Sequence, residues 1–335
     1  GADSAKYANV KSVVADGRFQ LPNLRVFLMH RIYLFRDGIE SNNYMLYFYN
    51  SSDYKMCISF EHCKFGSRGI DVDNPEYSGE ALTQSRLKSY VYIYYARMLN
   101  IRDCVINYAI TGNSSNCHGI YCRFPEILHV ENVKVCSPLN YSSYGYYPLC
   151  LSENSDDGIE CEIRNVSQEL IFNGTYEYIP SLLRVSGYLN ARIRNISVSM
   201  ADRGLSEVRP ANLYIQNNLI YFSNMRDFTV SDITVNIPRC WRCTAPAVGM
   251  YDCYSSNYVP GIEKDVRNIT VNLCEDEENA IGTPISYSDA SNSGSSYVAL
   301  FLEFDRSDSG IYAKVPVVDN ITVRNPRGRS LYICN

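Results

Sequence analysis

The sequence predicts an all-β chain wound into a single-stranded, right-handed parallel β-helix, and three observations support this class. One eight-residue pattern recurs along most of the chain, each copy alternates as half-buried strands do, and the distance between copies varies widely. Lys264 to Val271 shows the pattern most clearly, with Asn268 at its centre. A solenoid accommodates such unequal spacing, because each coil stacks on the next and extra residues leave as loops.

Eight copies of the pattern align on one polar position, which we call the anchor. The anchors are His62, Asp103, Asn132, Asn165, Asn195, Asp232, Asn268 and Asn320. In every copy the residue two before the anchor and the residue one after it are apolar. Asn and Asp suit a bend at this point, since they tolerate a left-handed backbone and their side chains bond local amides. We therefore expect two short strands joined by a one-residue bend, with the anchors stacked into a ladder.

The predicted organisation is one continuous unit, although 335 residues would normally allow two domains. Residues 1–23 are predicted to form an N-terminal cap segment, because a β-helix end exposes strand edges and apolar core that must be covered. Residues 24–335 are predicted to form the β-helix, with regular coils at about 56–326. Long insertions are expected at about 66–88 and 275–297. The alternation after Leu24 predicts early strands buried on both faces.

The repeated Ile-x-Asn-Ile-x-Val bend resembles that of the pectin-lyase-like β-helix superfamily over roughly residues 56–326. The resemblance implies a groove along one sheet for acidic or neutral polysaccharides. Family members cleave these with paired carboxylates, or by elimination with basic residues and calcium. Asn154 to Gly158 is similar in composition to the paired-aspartate segment of polygalacturonases, which makes Asp156 and Asp157 candidate catalytic residues. However, Asp157 lies only eight residues before Asn165, whereas the family's carboxylates precede the bend by a longer run.

Glu303 and Asp305 are further candidate catalytic acids. Their period-2 spacing places them on one face of a predicted strand. An alternative interpretation is that these acids form the solvated side of that strand. The sequence predicts no metal site and no cofactor, since a calcium loop with spaced ligands is absent and the single Cys240-x-x-Cys243 motif has no second pair to complete a zinc set. A packed turn or a local disulfide explains that motif better than a zinc site does.

Tyrosine is unusually abundant, with 29 residues against a single Trp. Three clusters supply the candidate binding residues, which are Tyr90, Tyr92, Tyr94, Tyr144, Tyr146, Tyr147, Tyr251 and Tyr254. An exposed Tyr offers a flat apolar ring with a polar tip, which suits sugar stacking or a protein interface. The alternative is that these rings pack along the solenoid wall.

The 13 cysteines are an odd number, and Cys63 and Cys104 occupy the same repeat position on neighbouring coils. Stacked coils would place them about 4.8 Å apart, which permits a cysteine stack or a disulfide. Reduced core cysteines are favoured, because Cys behaves as a small buried hydrophobe. Four Asn-x-Ser/Thr matches fall on anchors, where the bend explains them, so they are not taken as evidence of secretion.

The formal net charge of −5 predicts no nucleic-acid partner, and the lack of a long apolar run predicts no membrane insertion. No export signal is visible, but we expect an extracellular, cell-surface or virion-associated protein. It is predicted to bind carbohydrate or to act as a structural or adhesive rod, such as a phage-tail protein, and to be a homo-oligomer, a trimer if tail-like. The alternative is a polysaccharide hydrolase or lyase. The fold supports both.

Overall fold

The computed structural model describes residues 12–14, 25–36, 44, 46–49, 51–67, 89–107, 118–138, 147–151, 158–171, 179–200, 213–238, 240–251, 253, 264–273, 298–304, 317–324 and 329–334. Within these ranges every regular element is a β-strand. In chain order the strands are β1 (Ser12–Val14), β2 (Val26–His30), β3 (Tyr33–Arg36), β4 (Leu46–Phe48), β5 (Met56–Glu61), β6 (Lys64–Ser67), β7 (Ser89–Arg102), β8 (Val105–Asn107), β9 (His118–Pro138), β10 (Leu149–Leu151), β11 (Gly158–Ile171), β12 (Leu183–Ser186), β13 (Tyr188–Met200), β14 (Leu213–Ile215), β15 (Ile220–Ser223), β16 (Asp227–Asn236), β17 (Cys240–Cys243), β18 (Val248–Tyr251), β19 (Lys264–Asn272), β20 (Val298–Glu303), β21 (Val317–Arg324) and β22 (Arg329–Cys334).

The strands pair with one another in lines that run along the molecule, and every pairing among the described strands is parallel. The first line is β2, β5, β7, β9, β11, β13, β16, β19 and β21, and we call it the bend sheet. The second line is β4, β7, β9, β10, β12, β15, β18, β20 and β22, and we call it the ladder sheet. Strands β7 and β9 contribute to both. The fold is therefore the parallel β-helix that the sequence predicts.

The predicted bend is present at every anchor. All eight anchors have a positive φ, between 51° at Asn320 and 57° at Asp232. Arg31 adds a ninth bend, with a φ of 54°, and its backbone N–H donates to the Glu61 carbonyl across 2.9 Å. Sequence reasoning missed this copy because Arg rarely occupies the left-handed region. The bend sheet therefore begins one coil earlier than the regular pattern.

The anchor side chains form the predicted ladder, which we call the asparagine ladder. Each Asn Nδ2 donates to Oδ1 of the preceding anchor, in the pairs Asn132–Asp103 (2.8 Å), Asn165–Asn132 (2.8 Å), Asn195–Asn165 (2.7 Å), Asn268–Asp232 (2.8 Å) and Asn320–Asn268 (2.8 Å). An aspartate has no N–H to donate, so Asp103 and Asp232 each begin a separate run. All four anchor asparagines in Asn-x-Ser/Thr matches use Nδ2, which gives those matches a structural explanation.

The core lies between the sheets and is built from the apolar positions that flank each anchor. In β19, for example, Val266, Ile269 and Val271 are fully buried, while the outward Arg267 and Thr270 are exposed. Burial of one face and exposure of the other is what a period-2 strand at the wall of a solenoid requires. None of the described segments forms a helix long and apolar enough to cross a membrane.

The first coil differs from the prediction of strands buried on both faces. Met29 is buried and Phe27 packs against the core, but Val26 and Leu28 on the other side of β2 are 67% and 59% exposed. That prediction is wrong because only one side of this strand faces the solenoid interior.

Of the predicted cap, Ser12–Val14 forms a strand that pairs with Tyr33–Phe35. Its other residues up to 23, and most of the insertions (68–88 and 275–297), lie outside the described residues.

Most of the cysteines whose side chains the structure describes are buried thiols. Ten cysteine side chains are described, of which Cys57 and Cys240 are half-buried, and none of the ten is in a disulfide. Cys63 and Cys104 lie in the core, where the Cys63 Sγ donates to the Met29 carbonyl (3.3 Å) and the Cys104 Sγ donates to the Arg102 carbonyl (3.2 Å). This agrees with the prediction of reduced core cysteines at that repeat position.

Candidate functional site

One outward-facing column of the ladder sheet is dominated by aromatic rings, and we call it the aromatic ladder. The residues in register are Tyr47, Tyr92, Tyr121, Cys150, Arg184, Tyr221, Gly249, Phe301 and Tyr332. The neighbours of Tyr92 along its strand, Val91 and Ile93, are fully buried in the core. Because side chains alternate along a strand, the ladder lies on the outer surface of the solenoid wall.

At its N-terminal end the ladder is a continuous stack of tyrosine rings. The ring centroids of Tyr47 and Tyr92 are 5.3 Å apart, and those of Tyr92 and Tyr121 are 4.8 Å apart. Tyr44 lies beside them, with its centroid 5.3 Å from Tyr47 and 4.6 Å from Tyr92. These distances match the roughly 4.8 Å spacing of neighbouring strands, so the coil repeat itself brings the rings together.

A second outward column flanks this end of the ladder. The rings of Tyr49 and Tyr94 stack with centroids 5.3 Å apart. The Arg123 guanidinium lies 5.3 Å from the Tyr94 centroid, and its Nη1 donates to the Tyr94 Oη across 3.4 Å. Tyr49 is 61% exposed. We call Tyr47, Tyr49, Tyr92, Tyr94 and Arg123 the aromatic corner, a surface of phenols with one cation among them.

The middle of the ladder is interrupted by two residues that are not aromatic. Cys150 is buried with Tyr121 and Tyr147 in a small cluster on the outside of the wall, against which Tyr92 and Tyr221 pack. On the next coil the Arg184 guanidinium lies 5.0 Å from the centroid of the Tyr221 ring. A thiol and a stacked guanidinium therefore continue the column where a ring is missing.

At the C-terminal end a glycine makes room for a ring from a neighbouring position. A Cβ on Gly249 would lie 2.5 Å from Cε2 of Tyr251, whose ring covers the glycine. The Tyr251 centroid is 5.0 Å from that of Tyr221 and 4.9 Å from that of Phe301. Its hydroxyl donates to Asn218 Oδ1 across 3.0 Å. Phe301 in turn stacks on Tyr332 at 5.5 Å, so the rings remain continuous over the last coils.

Two phenols of this surface, Tyr92 in the ladder and Tyr147 beside it, are held in their neutral form. Burial, followed by the neighbouring Tyr44 and Tyr47, raises the pKa of Tyr92 to about 12. Burial also raises the pKa of Tyr147. At neutral pH these groups can donate and accept hydrogen bonds, but they are unsuited to proton transfer, which favours a pKa near the working pH.

The eight predicted binding tyrosines have different positions in the structure. Tyr92, Tyr94 and Tyr251 are half-buried on the ladder sheet, Tyr147 is buried in the cluster beside it, Tyr90 is fully buried, and Tyr144, Tyr146 and Tyr254 lie outside the described residues. The Tyr90 hydroxyl donates to the Asn107 carbonyl across 2.8 Å. Tyr90 therefore has no exposed ring. The other described tyrosines come from three stretches that are distant in the sequence, and they lie on or beside one sheet.

Sequence reasoning missed most of the ladder, although a signal was available. Each ladder aromatic is the middle residue of an apolar-aromatic-apolar triplet, at Leu46–Phe48, Val91–Ile93, Ile120–Cys122, Ile220–Phe222, Leu300–Leu302 and Leu331–Ile333. The outer members of the first five triplets are buried in the core and the middle one points outward, whereas Leu331 and Ile333 on the last coil are 39% and 48% exposed. Aligning these triplets, as the anchors were aligned, would have found the column.

The structure describes only one of the four candidate catalytic acids. Asp156, Asp157 and Asp305 lie outside the described residues. Glu303 is half-buried, two residues after Phe301 on β20, so it faces the same side as the ladder. Among the described residues no group of three or more His, Cys, Asp or Glu side chains is placed to hold a metal ion.

Comparison of the chain with family models, with curated proteins and with solved structures gives no match.

Proposed function

We propose that this protein is a non-catalytic β-helical rod that binds acidic polysaccharide at the aromatic corner. The observation that carries the proposal is the row of partly exposed tyrosines with the Arg123 guanidinium among them. The row follows the solenoid axis, so its hydroxyl groups recur at about the 4.8 Å spacing of the coils. An extended glycan that lies along the rod would meet one hydroxyl group per coil.

The stacking geometry limits how a sugar would bind. Tyr92 is stacked between Tyr47 and Tyr121, so its two faces are covered and mainly its hydroxyl edge is available. Tyr49 has only part of its ring covered, since it is 61% exposed. The sugar would therefore hydrogen-bond the edges of the ladder and stack on Tyr49, and Arg123 would pair with a carboxylate or sulfate of the glycan.

The proposal also includes where the protein acts and how it assembles. A rod that displays a glycan-binding face suits an extracellular, cell-surface or virion-associated protein. Most soluble oligomers are homo-oligomers, and we propose that this rod is one as well, a trimer if it is tail-like. The hydrolase or lyase alternative requires convergent carboxylates or a calcium site, and the aromatic corner itself contains no carboxylate.

The test is a binding and activity screen on immobilised acidic and neutral polysaccharides. We expect retention on an acidic polysaccharide, with no reducing ends or unsaturated products released. Tyr49→Ala and Arg123→Gln should each weaken binding about tenfold, as expected for loss of about 1.4 kcal/mol of contact. Tyr54→Ala is the matched control, because Tyr54 is 75% exposed and lies outside the ladder register, so its loss should leave binding unchanged.

Three outcomes would contradict this proposal. Release of either product would make the protein an enzyme and would direct mutagenesis to Glu303, Asp305, Asp156 and Asp157. Equal weakening by Tyr54→Ala would show that any exposed tyrosine contributes, so the ladder would not be the site. No retention on any glycan would leave a structural rod with a protein partner.

A further inference from the structure

The Cys240 and Cys243 thiols form a close pair that the proposed glycan site does not use. They lie on β17, which pairs with β14 in a two-stranded sheet apart from the bend and ladder sheets. Their Sγ atoms are 4.0 Å apart. Residues three apart on a regular strand point to opposite faces, so this proximity needs an explanation.

The explanation is a β-bulge. Leu213 pairs with Cys240, but Tyr214 pairs with Arg242, so Trp241 is an extra residue in the register. One extra residue reverses the alternation that follows it, which brings residues 240 and 243 to the same face of the strand. Bulges are rare in parallel pairs and are usually retained because they redirect a side chain. Here the redirected side chain is a thiol that faces a second thiol.

The two thiols differ in their surroundings. Cys243 is 3% exposed, and the contact with Cys240, together with burial, raises the pKa of the Cys243 thiol. Cys240 is half-buried, and its Sγ donates to the Leu213 carbonyl at 3.7 Å. An accessible thiol beside a buried one is the arrangement in which the first reacts with a reagent from solution and the second resolves the product.

We propose that Cys240 and Cys243 are a reversible thiol–disulfide site that reacts with low-molecular-weight disulfides. The Cys240 thiolate attacks one sulfur of the disulfide and forms a mixed disulfide. The other sulfur leaves as a thiolate, which takes up a proton from solvent to become a thiol. Cys243, after losing its proton to solvent, attacks the Cys240 sulfur and displaces the second thiol. The protein loses two electrons and two protons, and the small disulfide is reduced to two thiols.

The test uses native protein incubated with oxidised glutathione and digested after the remaining thiols are alkylated. Trypsin cleaves after Arg242, so Cys240 lies on one peptide and Cys243 on the next, which also carries Cys253. We expect a cross-linked pair of these peptides that dithiothreitol reverses, in which fragmentation places the disulfide on Cys243 and finds Cys253 alkylated. In Cys243→Ser, Cys240 should instead keep one glutathione.

Cys63 and Cys104 provide the control inside the same chain. They are also neighbouring thiols, but both are buried in the core, so they should react only after unfolding. A lasting glutathione adduct on wild-type Cys240 would overturn the proposal, because Cys243 would then not reach it. Unreacted Cys240 would overturn it as well. Both readouts use the wild-type chain, so the test stands even if Cys243→Ser fails to fold.

Discussion

The asparagine ladder and the aromatic ladder follow the same stack of coils but are built by different means. The asparagine ladder repeats Asn or Asp at every anchor except His62, because an anchor must hold a left-handed backbone that Asn and Asp tolerate. The aromatic ladder repeats only a position on the wall. Most coils place a ring there, but Cys150 and Arg184 occupy it on two coils, and on a third the Tyr251 ring covers Gly249. The backbone conformation at an anchor therefore limits which residue type can stand there. The outward position of the aromatic ladder limits only how much space is filled.

The largest expected effect tests the register on which both ladders depend. Ile269→Asp places an unpaired charge at a fully buried position next to anchor Asn268, and we expect a loss of several kcal/mol in the free energy of unfolding, measured by urea denaturation. Thr270→Asp is the control, since Thr270 is exposed and the change should stay within about 0.5 kcal/mol. Similar losses from both variants would show that the assigned faces are wrong.

An intermediate effect separates the two roles of an anchor. Asn165 holds a φ of 56°, donates to Asn132 and accepts from Asn195. Asn165→Ala should cost about 2 kcal/mol, because the left-handed backbone and both hydrogen bonds are affected.

Asn165→Gly removes the same two hydrogen bonds but suits the bend, so it should cost only about 1 kcal/mol in the same urea titration. Equal costs for the Ala and Gly variants would mean that backbone conformation does not select the anchors. The residue type at the anchors would then need a cause other than the left-handed backbone.

The last expected effect belongs to the aromatic ladder and is absent at neutral pH, because it appears only under alkaline conditions. The pKa of Tyr92 is raised by burial to about 12 from an ordinary 10.0, so the stability that the neutral phenol contributes is present below pH 10 and is lost as the pH rises through 12. Tyr92→Phe should therefore lose stability less steeply across this window. Tyr54→Phe, at an exposed ring, should follow the wild type, and parallel curves for all three proteins would exclude this role of Tyr92.

The difference between the two ladders also explains which features could be predicted from the sequence. The eight anchors and their flanking apolar residues share one short register, so the bend, the buried columns and the fold class followed from alignment alone. The ladder residue precedes its anchor by eleven residues in four coils, as Tyr92 precedes Asp103, but by fifteen or nineteen residues in the other four. The anchor register therefore reaches only half of the ladder. Arg31 was missed for another reason, because tertiary packing holds an unfavourable residue at that bend.

Cys150 and Gly249 show a further limit of sequence reasoning. Neither residue type suggests an aromatic column, yet one is covered by Tyr121 and Tyr147 and the other by the ring of Tyr251. The Tyr121 ring comes from the neighbouring coil, whereas the Tyr251 ring comes from the same strand as Gly249. The residue types of Cys150 and Gly249 alone therefore do not show which ring covers them.

The asparagine ladder also has an electrical polarity. Every amide donates toward the preceding coil, so the side-chain dipoles align head to tail with their positive ends toward the N-terminus. Asp103 and Asp232 place a carboxylate at the positive end of each run, as an acidic residue does at the start of an α-helix. Replacing either aspartate by asparagine would keep the shape of the column but remove the charge that compensates its dipole, so these two positions orient the ladder electrostatically.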